Sequence, residues 1–443
     1  MRFTDFSLND HILHQVEQCG FTAPTPIQQQ SILPIIAGRD LLGLAQTGTG
    51  KTAAFLLPVV QRLMEKKGQG TRALIIAPTR ELADQINEFA VTMLRNTTLR
   101  SAAIYGGVGK PGQVARLRKG ADIVVACPGR LLDLLNDRAL DLGKVEMLIL
   151  DEADHMFDKG FLPDIRRILR QLPTQRQNLV FSATMPEAIR SLVENLLVDP
   201  VTVQISVSRS AETIAHRVVN VEQAQKTSLL VHLLNQEAMA TTLVFTRTKH
   251  KAKSLAAALS RSGFQATSLQ GNLSQQKRQQ ALEGFRTGEY SILVATDIAA
   301  RGIDVSGISH VVNYDMPDTV EAYIHRTGRT GRAERSGEAL SFATRDDGRM
   351  IRQIEQAIDD RFSRQSAAEM ELPSLPKQPA SPVQQTKPVQ RGARPTRQKN
   401  TPQQQAEGRS PKSSGAPAAP SSRKRQNKRP PTSSVFGFSQ RSK

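Results

Sequence analysis

Ala45-Gln46-Thr47-Gly48-Thr49-Gly50-Lys51-Thr52 sets two glycines, a lysine and a hydroxyl where a triphosphate could be gripped. Gly48 and Gly50 allow a tight turn that aims backbone N–H groups at phosphate oxygens. The helix pattern that follows supplies partial positive charge from its N-terminus. Lys51 can reach the β- and γ-phosphates, and the Thr52 hydroxyl can ligate Mg²⁺. The spacing is that of a phosphate-binding loop, with Ala45 in place of the first glycine. The competing reading is an ordinary Gly-rich turn before a helix. The loop points to a nucleoside triphosphate and leaves open what the energy is used for.

Three further stretches carry chemistry. Asp151-Glu152-Ala153-Asp154 follows an apolar run. Asp151 could hold Mg²⁺, directly or through water, and Glu152 could polarise an attacking water. The alternative is an acidic helix start stabilised by the helix dipole. His325-Arg326-Thr327-Gly328-Arg329-Thr330-Gly331-Arg332 has three arginines and a histidine in eight residues. Guanidinium groups stabilise charge on a transferring γ-phosphate, even from another domain; a basic RNA-binding loop is the alternative. Gly20 to Gln28 holds two prolines, read as excluding a regular helix there. The Gln28 amide has a donor and an acceptor for an adenine edge, and Phe3 could stack on the base; alone, such a segment is a plain loop. The hydroxyls of Ser182-Ala183-Thr184, taken singly, are strand caps.

The elements that must hold these residues alternate. Leu41–Leu44, Ala73–Ala77, Ile123–Ala126, Val145–Leu150 and Leu179–Phe181 read as strands, with helices at Ala53–Met64, Glu81–Leu94 and Arg130–Leu135. Continuous apolar strands between helices imply a parallel sheet covered on both faces, with ligands at the carboxyl ends of the strands. Every suspect motif of this half lies at such an end. Around 203–215 the periodicity fades. A second series follows: strands at Val218–Val221, Leu243–Phe245, Ile292–Ala295 and Val311–Val312, and helices near Lys226–Leu234, up to Leu259, and at Gln275–Phe285. The fold class is therefore α/β, two parallel-sheet domains in tandem, the second without a Gly-Lys-Thr loop. The boundaries are an N-terminal segment at 1–30, a nucleotide-binding domain at 31–205, a linker at 206–216, a second domain at 217–372 and a tail at 373–443.

Composition limits the partners. Of the net charge of +18, residues 374–443 carry +14, from fifteen Lys/Arg and one acid, Glu407, which leaves +4 for 1–373. A polycationic tail rich in Pro, Gln and Ser buries too little apolar surface to fold and favours a polyanion, most often nucleic acid; a merely solubilising tail is the alternative. No apolar run approaches the ~18 residues of a membrane span. Cys19 and Cys127 are the only cysteines. That fits a reducing, cytoplasmic setting and excludes a disulfide framework.

Across residues 1–350 these motifs stand in the order found in DEAD-box RNA helicases, and the chain resembles that family. The resemblance implies two RecA-like domains. Gly20 to Gln28 is similar to the family's adenine-reading Q motif, including Thr25 and Gln28, with Phe3 at its upstream aromatic. Ala45 to Thr52, Asp151 to Asp154 and Ser182 to Thr184 resemble its ATP, Mg²⁺ and coupling motifs. Pro78-Thr79-Arg80-Glu81-Leu82, Gly106-Gly107 and Pro128-Gly129-Arg130 resemble the RNA motifs of the first domain. Val244-Phe245-Thr246, Gln275 with Arg278, Ala295-Thr296-Asp297 and Arg301-Gly302-Ile303-Asp304 resemble those of the second; Arg301 would face RNA and Asp304 the nucleotide. His325 to Arg332 looks like the last motif, with His325 at the catalytic site and Arg329 and Arg332 as fingers. Phe245 to His250 is most similar to the RhlE type. Cys127 departs from the usual Thr before Pro-Gly-Arg, which weakens one donor, and Gln270 stands where His is commoner.

The expected function is that of an ATP- and Mg²⁺-dependent RNA helicase whose domains close around both ligands. Thr79, Arg80, Gly107, Gly129, Arg130, Arg278 and Thr296 suit phosphate contact, which positions a strand without reading its sequence. Aromatic content of 4% argues against a base-stacking platform. Ribosome assembly or RNA turnover, with ribosomal or RNA-decay proteins as partners, are the expected settings. An ATP-gated RNA clamp or annealer and a DNA helicase are the rivals.

Overall fold

The computed structural model describes residues 1–373, except 47, 206–213, 238, 301–304, 306 and 332–335 and the side chains of Ile298 and Ala300. Seven strands form the first sheet: β1 (Leu41–Leu44), β2 (Ala73–Ile76), β3 (Ser101–Ile104), β4 (Ile123–Ala126), β5 (Met147–Leu150), β6 (Gln177–Ser182) and β7 (Val201–Gln204). Their spatial order is β3-β4-β2-β5-β6-β1-β7, and every neighbouring pair is parallel. The residues of β2, β4 and β5 are all buried, because helices cover both faces. Alternate residues of one strand therefore enter separate cores. Ala73 and Ile75 of β2 join the cluster that holds Phe55 and Ile86. Leu74 and Ile76 join the one that holds Leu131 and Ile165.

The second sheet comprises β8 (Ile214–Asn220), β9 (Thr242–Phe245), β10 (Ala266–Leu269), β11 (Ile292–Ala295), β12 (His310–Asn313), β13 (Gly337–Ala343) and β14 (Ser363–Ser366). It is again parallel, in the order β10-β11-β9-β12-β13-β8-β14. Counted from its own first strand, that is the order of the first sheet. The likeness extends to residues. β1 leads through the glycine loop into the helix Lys51–Glu65, and β8 leads into the helix Lys226–Gln236, which also begins Lys-Thr. In the second copy this pair is occupied. Lys226 Nζ donates to the Tyr314 carbonyl at 2.9 Å, and Thr227 Oγ1 lies 2.9 Å from the Tyr314 hydroxyl. Asp315, just beyond β12, lies 3.8 Å from Lys226.

Two sequence expectations need correction. The prolines at 24 and 26 do not exclude a helix: Pro26 is the first residue of the helix Pro26–Ile36. An N–H at that position has no helical partner to lose, and proline's fixed φ suits it. The expected linker 206–216 overlaps β8, which begins at Ile214. The basic stretch 374–443 lies outside the described residues.

Candidate functional site

The glycine loop is tied down from the N-terminal segment. Thr25 and Gln28 form a capping box on the helix Pro26–Ile36. Both then reach the loop: Thr25 Oγ1 donates to the Thr49 carbonyl at 2.7 Å, and Gln28 Nε2 to the Gly50 carbonyl at 3.1 Å. Gln28 also accepts the Thr25 N–H at 2.9 Å. These bonds use one amide proton and one lone pair, and the amide has two of each. Gly48 and Gly50 have φ of +88° and +91°, and a Cβ on Gly50 would lie 2.4 Å from Gln28 Nε2. Thr49 Oγ1 closes the turn on the Gln46 carbonyl at 2.8 Å. Ala45 is buried at the exit of β1, Thr52 is half-buried in the first helical turn, and Lys51 Nζ donates to the Ala45 carbonyl at 2.8 Å. Phe3 stands differently from the expectation. It is buried against Phe6 and stacked on Phe21, and Phe21 is the exposed ring of the group. Thr47 lies outside the described residues.

The acids sit where β5 ends. Asp151 is buried, and burial pushes its carboxyl up to about 7 against the pull of Lys51. Glu152 is a non-glycine residue at φ +52°, a strained conformation that the surrounding fold must hold. Burial would raise its carboxyl, but the His155 hydrogen bond and the Arg329 charge prevail and hold it far below the usual range. Asp154 is a hub that sequence reasoning left out of the site. Its Oδ2 accepts from Thr184 N and Oγ1 at 2.9 and 3.0 Å and from Ala183 N at 3.2 Å. Its own N–H donates to Ser182 Oγ, which donates on to the Thr184 carbonyl. Ser182 and Thr184 are thereby welded to the acid segment. The signal was a second aspartate in the first turn of the helix Ala153–Asp158, whose first four residues are buried.

The second lobe completes this site. His325 Nε2 lies 3.8 Å from Asp154 Oδ2. Arg329 is buried, and its charge acts on Glu152 across the cleft. Arg326 instead anchors its own lobe: it donates to both Asp297 carboxylate oxygens at 2.6 and 2.7 Å, to Asn313, and to the Asp315 carbonyl. Asp304 and Arg332 lie outside the described residues, as does Arg301 of the RNA set.

A cavity of about 870 Å³ runs between the lobes. Pro78, Thr79, Arg80, Gly129 and Arg130 line it from one side, and Gln275, Arg278 and Thr296 from the other. Arg80 Nη1 meets Gln275 Oε1 at 3.2 Å, and Arg278 Nε meets Glu81 Oε1 at 2.8 Å. Gly107 has φ +81°, and a Cβ there would overlap the Arg80 guanidinium. Thr79 Oγ1 caps its helix by accepting Leu82 N–H. Asp297 differs from the other RNA candidates in having its carboxylate committed to Arg326. Lys159, Arg247 and Lys249 also line the cavity; Arg247 and Lys249 belong to the stretch Phe245 to His250 noted above, whereas no motif singled out Lys159. Away from the cleft, Glu237, His310 and Glu338 gather like metal ligands, but Arg217 already bridges the two glutamates at 2.6 and 2.8 Å.

Comparison with known proteins matches this geometry. Residues 25–192 fit the DEAD/DEAH box helicase model and residues 225–334 the helicase conserved C-terminal domain. The chain is similar to the ATP-dependent RNA helicase CshA of Listeria monocytogenes, 43% identical over 362 residues, 82% of this chain and 69% of that protein. The chain belongs to the DEAD-box ATP-dependent RNA helicases. Another member, RhpA of Helicobacter pylori, is 39% identical over 81% of this chain and 72% of its own length. Among solved DEAD-box structures, S. cerevisiae Dbp5 bound to RNA and ADP BeF3 superposes with a TM-score of 0.74 at 29% identity, covering 82% of this chain and 95% of that one. A DEAD box protein from Methanococcus jannaschii reaches 0.51 at 36% identity, covering 82% and 99%. In DEAD-box terms the two sheets are the two RecA-like domains. No helix of the described residues is long and apolar enough to cross a membrane.

Proposed function

We propose that this ATP-dependent RNA helicase separates short RNA duplexes by closing its two lobes over one strand. Support comes from one relationship: the second lobe touches both candidate sites of the first, with Arg278 at the cavity and Arg329 acting on Glu152. Ligands that each favour closure favour one another. In this reading Thr25 and Gln28 hold the base and the loop together, with Phe3 packed behind them. Gly48, Gly50 and Lys51 cradle the phosphates, with Ala45, Gln46 and Thr49 shaping the turn; Thr47 is assigned to the same nucleotide site. Thr52 and Asp151 are a hard oxygen donor set that suits Mg²⁺, whose chemistry when bound is to neutralise phosphate charge. Glu152 aligns a water. The water oxygen bonds to the γ-phosphorus as the bond to the ADP oxygen breaks, and a water proton leaves by way of the carboxylate. Arg329 and Arg332, with His325, are assigned to stabilise the charge, and Asp304 to the nucleotide. Ser182 and Thr184 pass closure between the sites through Asp154.

For RNA, Pro78, Thr79, Arg80, Gly107, Gly129, Arg130, Gln275, Arg278, Thr296, Asp297 and Arg301 form the proposed track. It makes backbone contacts without base readout, and 2′-OH contacts favour RNA. The domain limits given above, with the second domain starting by Ile214, a cytoplasmic location, the RhlE type and a role in ribosome assembly or RNA turnover are parts of the same proposal. Strand displacement on a short RNA duplex tests it. Release should need ATP and should vanish in Glu152→Gln; strand annealing without release would favour the clamp.

A further inference from the structure

We propose that His155 is the positioning residue for the hydrolytic water, acting through Glu152. The inference rests on the reading of Glu152 given above and adds a residue to it. His155 is the third residue of the helix Ala153–Asp158, three positions after Glu152, and its Nδ1 is 3.3 Å from Glu152 Oε2. Their side chains are 4% and 9% exposed. A carboxylate only accepts, so Nδ1 carries the proton. That bond holds Oε2 and so fixes the plane of the carboxylate that is to align a water.

The need for such a tether follows from the backbone. Glu152 begins its helix in the left-handed region, and its side chain has three torsions to fix. Arg329 also acts on the carboxylate, but from the second lobe, so its influence depends on closure. His155 belongs to the same lobe as Glu152 and remains beside it whether the cleft is open or shut. Its backbone is fixed as well, since its N–H donates to Asp154 Oδ1 at 3.0 Å. One restraint is permanent and the other arrives with closure. The histidine presets the carboxylate, and closing the cleft needs only to add charge.

The test uses the full chain at saturating RNA, with His155→Leu, His155→Asn and Glu152→Gln. Asparagine keeps a donor near the Nδ1 position; leucine fills the space without one. His155→Leu should lower kcat by about 10–100-fold, the range for a misplaced catalytic group. KM for ATP, RNA affinity and thermal midpoint should stay near those of the parent. His155→Asn should recover most of the rate, and adding His155→Leu to Glu152→Gln should cost nothing more. A parental kcat in His155→Leu overturns the inference, as does equal impairment of Leu and Asn with a lowered thermal midpoint. Glu152→Gln separates the two readings: if it is inactive while His155→Leu is normal, only the histidine's role falls. If Glu152→Gln turns over normally, the role of Glu152 falls as well.

Discussion

Arg278 of the second lobe donates through Nε to the Glu81 carboxylate of the first at 2.8 Å, with both side chains largely shielded from water. The same guanidinium lines the cavity proposed for RNA, so it serves closure and phosphate contact together. Arg278→Ala should raise the RNA concentration for half-maximal ATPase stimulation about tenfold, equivalent to ~1.4 kcal/mol. A double-mutant cycle with Glu81→Gln should return a coupling of about 1–3 kcal/mol; additive effects would mean the pair is incidental. Burial opposes ionisation of Glu81, but Arg278 prevails and holds its carboxyl below the usual value of 4.5. A depressed carboxyl stabilises above its unfolded value and loses that effect as pH falls. The lobe contact should therefore weaken only below about pH 4.5, as seen by energy transfer between labels on the two lobes.

Asp151 runs the other way. Its carboxyl is raised to about 7 by burial, so its contribution to stability is full below about pH 4 and is lost as pH rises through about 7. A divalent cation favours the ionised form. Binding of Mg²⁺ and nucleotide should release roughly one proton at pH 6 and few at pH 8. Calorimetry in buffers of different ionisation enthalpy measures this, and equal release at both values would contradict it.

Gly50→Ala should damage the nucleotide site twice over. The residue sits at φ +91°, and its new methyl would meet Gln28 Nε2 at 2.4 Å. Fluorescent-nucleotide affinity should fall by tenfold or more, in line with at least ~1–2 kcal/mol of backbone strain plus the clash. Adding Gln28→Ala removes the clash but leaves the strain and loses the amide that holds the base and the loop, so affinity should not recover.

Cys127 begins the helix Pro128–Asn136 without a side-chain cap, and burial pushes its thiol up to about 12. Cys127→Thr supplies a capping oxygen and should add about 1 kcal/mol. The first lobe's thermal midpoint should rise by about 2–4 °C. A drop would mean that the added hydroxyl cannot find its bond in the buried site.

Interior strands whose runs are apolar throughout were legible. Ile123–Ala126 and Ile292–Ala295 have the boundaries read from sequence. All four edge strands escaped: β3, β7, β10 and β14 read Ser-Ala-Ala-Ile, Val-Thr-Val-Gln, Ala-Thr-Ser-Leu and Ser-Arg-Gln-Ser. An edge has one neighbour and partial cover, so nothing forces a continuous apolar run. β13 is interior but mixes Glu and Ser into its run.

At the sites, residue types pointed to the nucleotide loop and the acids because their chemistry is local. What sequence left out is relational. Asp154 matters through the Ser182–Thr184 segment 28 to 30 positions away, and Lys159 meets the cavity wall through a bond from Nζ to the Pro78 carbonyl 81 positions away. Phe3 shows the opposite error, since its motif position did not reveal that Phe21 covers it.

Tyr314 seals the second lobe's Lys226-Thr227, and this limits how the molecule can labour. A motor that walks needs one grip to hold while another lets go, each fuelled in its turn. Here Tyr314 plugs the duplicate engine, so among the described residues only the first lobe keeps its Lys-Thr pair open to fuel. Such a machine works on the spot where it lands, and a long duplex would have to be opened by many separate landings.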